Sequence, residues 1–216
     1  MEKHRNGNKI EIKINSNELK YDKKTAKSII RRLARIRKNA DFMDRNIVID
    51  TGDMLIENTH KYQNEYEFFI KTAILAVQMQ NKKERYEFLY NEICFYLDDV
   101  CRSNNLCEFC DDKCFVKKDT DVTMGCCHHF PNKYFGMFYQ KEMVPCEYLG
   151  EHGCTTQTIG CKLFMCDDIN KKGYKFTVFN VLLIRYFYNF IQKIIIKCGI
   201  FTTKEKVMKY LEWFEF

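Results

Sequence analysis

Apolar and polar residues alternate over Asn8–Asn15, NKIEIKIN, where Ile10, Ile12 and Ile14 take every second position. A two-residue period places them on one face of a β-strand. From Tyr21 to Ala40 the period lengthens. Ala26, Ile29, Leu33, Ile36 and Ala40 then share one face of a helix, and Asp22 stands where an N-cap belongs. Tyr66, Phe69, Ile70, Ala73, Ile74 and Val77 mark a second amphipathic helix, and Tyr86, Leu89, Ile93, Tyr96 and Val100 a third. Toward the C-terminus, Val178–Cys198 is the most apolar stretch of the chain. Arg185, Asn189, Gln192 and Lys193 interrupt it, so it predicts one buried helix rather than a membrane span, which needs about 20 nearly uncharged residues. A last helix follows over Thr202–Phe214, with Val207, Tyr210, Leu211 and Phe214 on one face and a capping-box spacing between Thr202 and Glu205.

Between the third and fourth helical patterns the texture changes. Ten of the twelve cysteines lie between Cys101 and Cys166, separated by Asp, Asn, Gly and Lys, and no apolar period survives there. The pattern predicts a mainly α protein: a helical body with a cysteine-rich, loop-rich metal-binding insert and at most a short β element. Pro131 and Pro145 are the only prolines and no Gly/Ser-rich linker divides the chain, so one domain is expected over residues 1–216. Within it, residues 1–100 form a helical part, 101–168 the cysteine-rich segment and 169–216 the C-terminal helices.

The N-terminus lacks the apolar core of a signal peptide, which with the interrupted apolar stretch points to the cytoplasm. That compartment is reducing and disfavours structural disulfides. Nine thiols, Cys107, Cys110, Cys114, Cys126, Cys127, Cys146, Cys154, Cys161 and Cys166, crowd into 60 residues that have little apolar material to bury them. Disulfides, redox relays and plain buried thiols are the alternatives, but soft thiolate ligands at short spacings favour a metal. Cys107-x2-Cys110-x3-Cys114 holds three of them within about one turn of chain, and close spacing keeps the cost of loop closure low. The remainder follow at longer, irregular intervals. Neither a zinc ribbon nor a ferredoxin spacing is reproduced. His128, His129 and His152 stand close enough in sequence to replace a thiolate at zinc, or to be solvated loop residues. Asp167 and Asp168 follow Cys166 directly. Cys94 falls in an apolar period and reads as a core thiol; Cys198, ending an apolar helix, reads as structural. Cys101 borders the cluster.

Cys146-x2-Leu149, Gly153-Cys154 and Cys161-x4-Cys166 resemble the C-terminal half of the YkgJ-like cysteine-cluster family, described as zinc- or iron-chelating. The same layout occurs in flagellin lysine N-methylases. Upstream, Cys110-x3-Cys114 resembles the family's first group, but Phe115 replaces the second cysteine of its terminal pair and that pair comes later, as Cys126-Cys127. The family's Arg-Pro before the third downstream cysteine is replaced by Ile159-Gly160. The resemblance covers about Cys107–Cys166 and implies a metal centre; it names no activity for the flanking helices.

Charge adds a second feature. Lys20–Asn39 carries nine Lys or Arg and one Asp, a local charge of +8 in a chain whose net charge is +6. Arg31, Arg32, Arg35, Arg37 and Lys38 dominate its polar side and are candidates for phosphate contact, or for a plain solvated face. P-loop, GxGxxG, GxSxG and HExxH motifs are absent, so no catalytic residue is assigned, and any catalysis is expected to reside in a cofactor. Two functions are therefore expected. The first is a cytosolic metal-binding protein with an iron–sulfur centre, or zinc, able to support a redox or protein-modification reaction. The second is a structural zinc module presenting the basic helix to nucleic acid or to a protein partner.

Overall fold

A computed structural model describes residues 2–6, 9–15, 19–52, 56, 59–104, 106, 109–110, 113–114, 128–129, 144–150 and 153–214. In chain order these form β1 (Glu2–Asn6), β2 (Lys9–Lys13), α1 (Lys23–Phe42), β3 (Asn46–Asp50), α2 (Glu65–Gln78) and α3 (Lys82–Ser103). Short ladder strands follow: β4 (Phe109–Cys110), β5 (Lys113–Cys114), β6 (His128–His129), β7 (Val144–Pro145), β8 (Leu149–Gly150) and β9 (Gly153–Cys154). The chain then runs through α4 (Ile159–Leu163), α5 (Asp167–Lys171), α6 (Leu182–Phe187), α7 (Phe190–Cys198) and α8 (Lys204–Trp213). The protein is mainly helical, as the apolar periods predict. It divides into two compact units, Met1–Glu92 with Leu182–Tyr188, and Ile93–Val181 with Asn189–Phe216.

The first unit is built on a strand–helix–strand crossover. β2 pairs in parallel with β3, Ile10 opposite Ile47 and Ile12 opposite Ile49, and α1 makes the connection between them. β1 adds an antiparallel edge to β2. Ile10, Ile12 and Ile14 are buried, as their alternation requires. β3 has the same alternation in Asn46-Ile47-Val48-Ile49-Asp50, with Ile47 and Ile49 inside, but an apolar Val48 on the exposed side conceals it in the sequence. Asp22 caps α1 by accepting the amides of Lys24 at 2.8 Å and Thr25 at 2.9 Å. These bonds, the Thr25 amide foremost, hold its carboxyl below the usual carboxylate range.

Below the cap, α1 buries Ala26, Ile30, Leu33, Ile36 and Ala40. Ile30 rather than Ile29 faces inward at the second position. α1 packs against α2 and α6, and α2 contributes Phe68, Phe69, Ile70, Ala73, Ile74 and Val77 to the same core. Arg37 lies in this interior, only 4% exposed. Its guanidinium donates to Asp41 Oδ1 at 3.0 Å, to the Val77 carbonyl at 3.2 Å and to the Arg45 carbonyl at 3.2 Å. The other Asp41 oxygen takes Arg85 at 2.6 Å, and Arg85 also donates to the Met79 carbonyl at 2.7 Å. One carboxylate thus bridges two buried guanidiniums.

In the second unit α7 and α8 form an antiparallel hairpin. Asn189 donates to the Phe214 carbonyl at 3.0 Å at one end, and Gly199 meets Val207 at the other. The apolar stretch expected as one buried helix is two. Asn189 ends the first run and caps the second in a reciprocal box with Gln192, bonds of 2.8 and 2.9 Å. Nor is α7 wholly buried, since Phe190, Ile191 and Ile194 face solvent. α8 is capped by Thr203, one residue later than expected, through a bond from the Lys206 amide. Glu205 then falls one position short of the box partner, and Val207, Met208 and Leu211 form the buried face while Tyr210 and Phe214 are exposed. No helix among the described residues is long and apolar enough to cross a membrane.

Candidate metal centre

Cys161 sits on the short helix α4, and the residue before it explains why that helix can stand where it does. A Cβ on Gly160 would lie 2.6 Å from the Ile196 carbonyl oxygen and 2.7 Å from that of Gly199. Only glycine lets α4 approach the end of α7 so closely. The loop after α7 then turns through Phe201 at φ +50°, a left-handed backbone that costs a non-glycine residue about 1 kcal/mol. An edge-on contact of the Phe201 ring with Phe164, centroids 6.1 Å apart, holds the turn. Its product is directional: the Phe201 amide donates to Cys161 Sγ at 3.1 Å. Cys161 is 3% exposed.

Cys94 has the opposite polarity. Its thiol donates to the Gln157 carbonyl at 3.0 Å, so this sulfur carries its proton. Gln157 is itself left-handed, at φ +53°. Cys94 is buried on α3, in keeping with the core role that its apolar period predicts. Seven residues on, Cys101 is half-buried. Burial, and after it the Asp98 carboxylate, pushes its thiol above the usual range, while Lys162 acts in the other direction. Lys162 bonds to Asp98 directly. The sequence does not reveal this pair beside Cys101, since Asp98-Asp99 carries no sign of a partner 64 residues away. Cys198 lies exposed on α7 rather than in a core.

Of the remaining candidates, Cys146 is buried and Cys166 half-buried just ahead of α5, with its carbonyl accepting the Asn170 amide at 3.1 Å. Cys110 and Cys114 belong to β4 and β5, paired as Phe109 with Cys114 and Cys110 with Lys113. Cys154 lies in β9 opposite Leu149, and the Thr155 amide and hydroxyl both close on the Tyr148 carbonyl at 2.9 Å. Cys107, Cys126, Cys127 and His152 lie outside the described residues. β6 pairs with β7, His128 with Pro145 and His129 with Val144. That ladder joins backbone directly downstream of the first cysteine group to backbone directly upstream of Cys146. Asp167 and Asp168 open α5. Cys94, Cys101, Cys146, Cys161, Cys166 and Cys198 form no disulfide. Among the described residues no three His, Cys, Asp or Glu side chains gather as a metal ion would require.

The donor chemistry of the described thiols suits a soft metal. A buried sulfur that accepts an amide N–H is the arrangement that stabilises a thiolate ligand. Sequence spacing could not distinguish Cys161 from Cys94 in this respect. The one sequence signal was Gly160, a residue without a side chain directly before a cysteine.

On α1, Arg31, Arg32, Arg35 and Lys38 are exposed, at spacings that form one stripe. Arg37, expected on this polar side, is not part of it, because its guanidinium is spent on Asp41 and two carbonyls. No family model, curated protein or solved structure matches this chain.

Proposed function

We propose that the protein is a cysteine-ligated metal-binding protein of the YkgJ-like cluster kind, working in the reducing cytoplasm and holding an iron–sulfur centre in preference to zinc. Cys107, Cys110, Cys114, Cys126, Cys127, Cys146, Cys154, Cys161 and Cys166 supply the ligands. The observation that carries the reading is the contrast in sulfur polarity: Cys161 accepts an amide proton while Cys94 donates its own. The β6–β7 ladder adds support, because it ties together the segments that flank the two cysteine groups. Ligands spread irregularly over 60 residues suit a cluster better than a compact zinc site, and nine thiols exceed by one the need of two four-cysteine centres. A bound cluster would supply one-electron redox chemistry, and its ligation would order a segment too polar to order itself. The chain's own part is to bury Cys146 and Cys161 away from water and to aim the Phe201 amide at sulfur.

Anaerobic purification followed by metal and acid-labile sulfide analysis tests this. The expected result is a brown protein with iron and sulfide in near-equal amounts. Cys161→Ser should lose the metal and Cys94→Ser should keep it. Stoichiometric zinc in a colourless protein would move the choice to zinc; metal-free protein, or equal metal in both variants, would overturn the assignment.

A second reading is favoured by the α1 stripe: a structural zinc module that offers Arg31, Arg32, Arg35 and Lys38 to nucleic acid or to an acidic protein surface. Binding of that type falls steeply with salt. The triple variant Arg31→Glu, Arg32→Glu, Arg35→Glu should abolish retention on an oligonucleotide column at low salt. Unchanged retention, or none by the wild type, removes nucleic acid.

A further inference from the structure

The residues of α7 that face solvent are Phe190, Ile191, Ile194, Lys197 and Cys198, a single stripe at positions i, i+1, i+4, i+7 and i+8. On α8 the corresponding stripe is Lys206, Lys209, Tyr210 and Trp213. Both helices are therefore amphipathic in the reverse sense: large apolar groups look outward as well as inward. Phe190 is 72% exposed and Trp213 65%. The Asn189–Phe214 bond brings the start of α7 to the end of α8, so Phe190, Ile191, Trp213 and Phe214 gather at one end of the hairpin. Lys209 Nζ stands 5.5 Å over the Trp213 ring and Tyr210 meets the same ring edge-on at 6.2 Å, which keeps the indole presented at the surface.

Charge decides what such a face can meet. Residues 169–204 contain seven Lys or Arg and no Asp or Glu. The α7 stripe holds no acidic residue; on α8 Glu205 is exposed one turn before Lys209, which leaves Lys197, Lys206 and Lys209 in excess over that one carboxylate. We propose that the α7–α8 hairpin docks on an anionic lipid surface, with Phe190, Ile191, Ile194 and Trp213 entering the headgroup boundary and Lys197, Lys206 and Lys209 facing the lipid phosphates. Aromatic and aliphatic groups flanked by lysine, on short helices lying flat, are what an interfacial contact selects. Lysine stems extend along the apolar boundary and carry their charge to the phosphate layer. A second copy of the chain is a poorer fit. Each copy would bring the same lysine-rich face, and the like charges of two such faces repel. Nucleic acid would answer the lysines but gain nothing from Ile191 and Ile194.

Sedimentation of the full chain with phosphatidylcholine vesicles, with and without phosphatidylserine, tests the proposal. Three outward lysines predict a partition at least about tenfold stronger onto the anionic vesicles, weakening with salt. The double variant Phe190→Ser, Trp213→Ser should lose about tenfold or more, with helical content unchanged because both side chains are exposed. Lys206→Glu with Lys209→Glu should lose about as much by a charge route alone. The triple α1 variant, Arg31→Glu, Arg32→Glu, Arg35→Glu, should bind vesicles within about twofold of the wild type, which separates this surface from the α1 stripe. Equal partition onto neutral and anionic vesicles, or loss confined to the α1 variant, overturns the proposal. So does a wild-type dimer in light scattering that Trp213→Ser dissociates, since it gives the face to a second copy.

Discussion

The α1–α2 region and the stretch from Cys101 to Cys166 are of comparable length but are held in different ways. In the first, Ala26, Ile30, Leu33, Phe68, Ile70 and Ile74 are fully buried and the helices they lie on run for 20 and 14 residues. There the hydrophobic effect holds local structure and tertiary packing at once. The described residues of the second form ladder strands of two residues and a five-residue α4. Among its described residues a few buried side chains, Leu106 and Ile159 with Cys146 and Cys161, stand beside individual bonds: an amide on the Cys161 sulfur, a hydroxyl on the Tyr148 carbonyl, a glycine against a carbonyl. Core packing spreads its free energy over many weak contacts, whereas such a segment depends on a few that are each costly to lose. The two should respond differently to single substitutions.

The largest effect is expected where the packed region departs from its own rule. Asp41→Ala strips the anion from Arg37 and Arg85, whose side chains are only 5% and 4% exposed. Leaving buried cations unpaired costs about 3–5 kcal/mol. Urea denaturation should show that loss, with faster amide exchange through α1 and α2; a change below about 1 kcal/mol would mean that the carbonyls of Val77, Arg45 and Met79 suffice alone.

In the second unit the sharpest single contact is Gly160. Gly160→Ala forces a methyl against two carbonyl oxygens and should cost about 2 kcal/mol. The same displacement should speed alkylation of Cys161. An alanine variant as stable as the wild type, with an equally protected thiol, would show that α4 does not depend on the close approach.

Asn189→Ala is expected to cost about 1 kcal/mol, because the Gln192 amide loses its acceptor at the start of α7. Exchange of the α7 first-turn amides reports it directly.

The smallest effect concerns pH. The Cys101 thiol is raised by burial and then by Asp98. A raised pKa favours the protonated form in the folded state, so this stability is complete below the ordinary thiol pKa and is lost as pH rises through the folded value. Melting temperature measured between about pH 8 and pH 11 should fall more steeply for the wild type than for Cys101→Ala. Parallel curves would reject the shift.

The packed region was largely legible beforehand, since period and cap define it. Alternation identifies Ile10, Ile12 and Ile14, and the place before an apolar period identifies Asp22; on α2 the period finds Phe69, Ile70, Ala73, Ile74 and Val77, but it includes the half-buried Tyr66 and passes over the fully buried Phe68. Misreadings share a cause. Arg37 reads as part of the polar side because charge normally seeks water, and Asp41, four residues away, with the carbonyls of Arg45 and the distant Val77, makes its burial tolerable. The apolar run after Val178 reads as one helix because hydropathy does not register that an asparagine can end one helix and cap the next. In the cysteine-rich stretch, sequence could name the thiols but not their polarity. Whether a sulfur gives or receives a proton depends on carbonyls and amides brought from distant positions, such as Gln157 for Cys94 and Phe201 for Cys161.

The first unit is discontinuous, and this bears on how the chain is made. α6, with Leu182, Leu183 and Ile184 buried, packs on α1 and α2, yet it is encoded after residues 93–181. A ribosome adding roughly 5–20 residues per second needs on the order of ten seconds to traverse that interval. Throughout it the nascent α1–α2 pair lacks α6 to cover its apolar side. The last piece of the first unit arrives only after residues 93–181 have been made, so the older core closes after eleven of the twelve cysteines have been added to the chain.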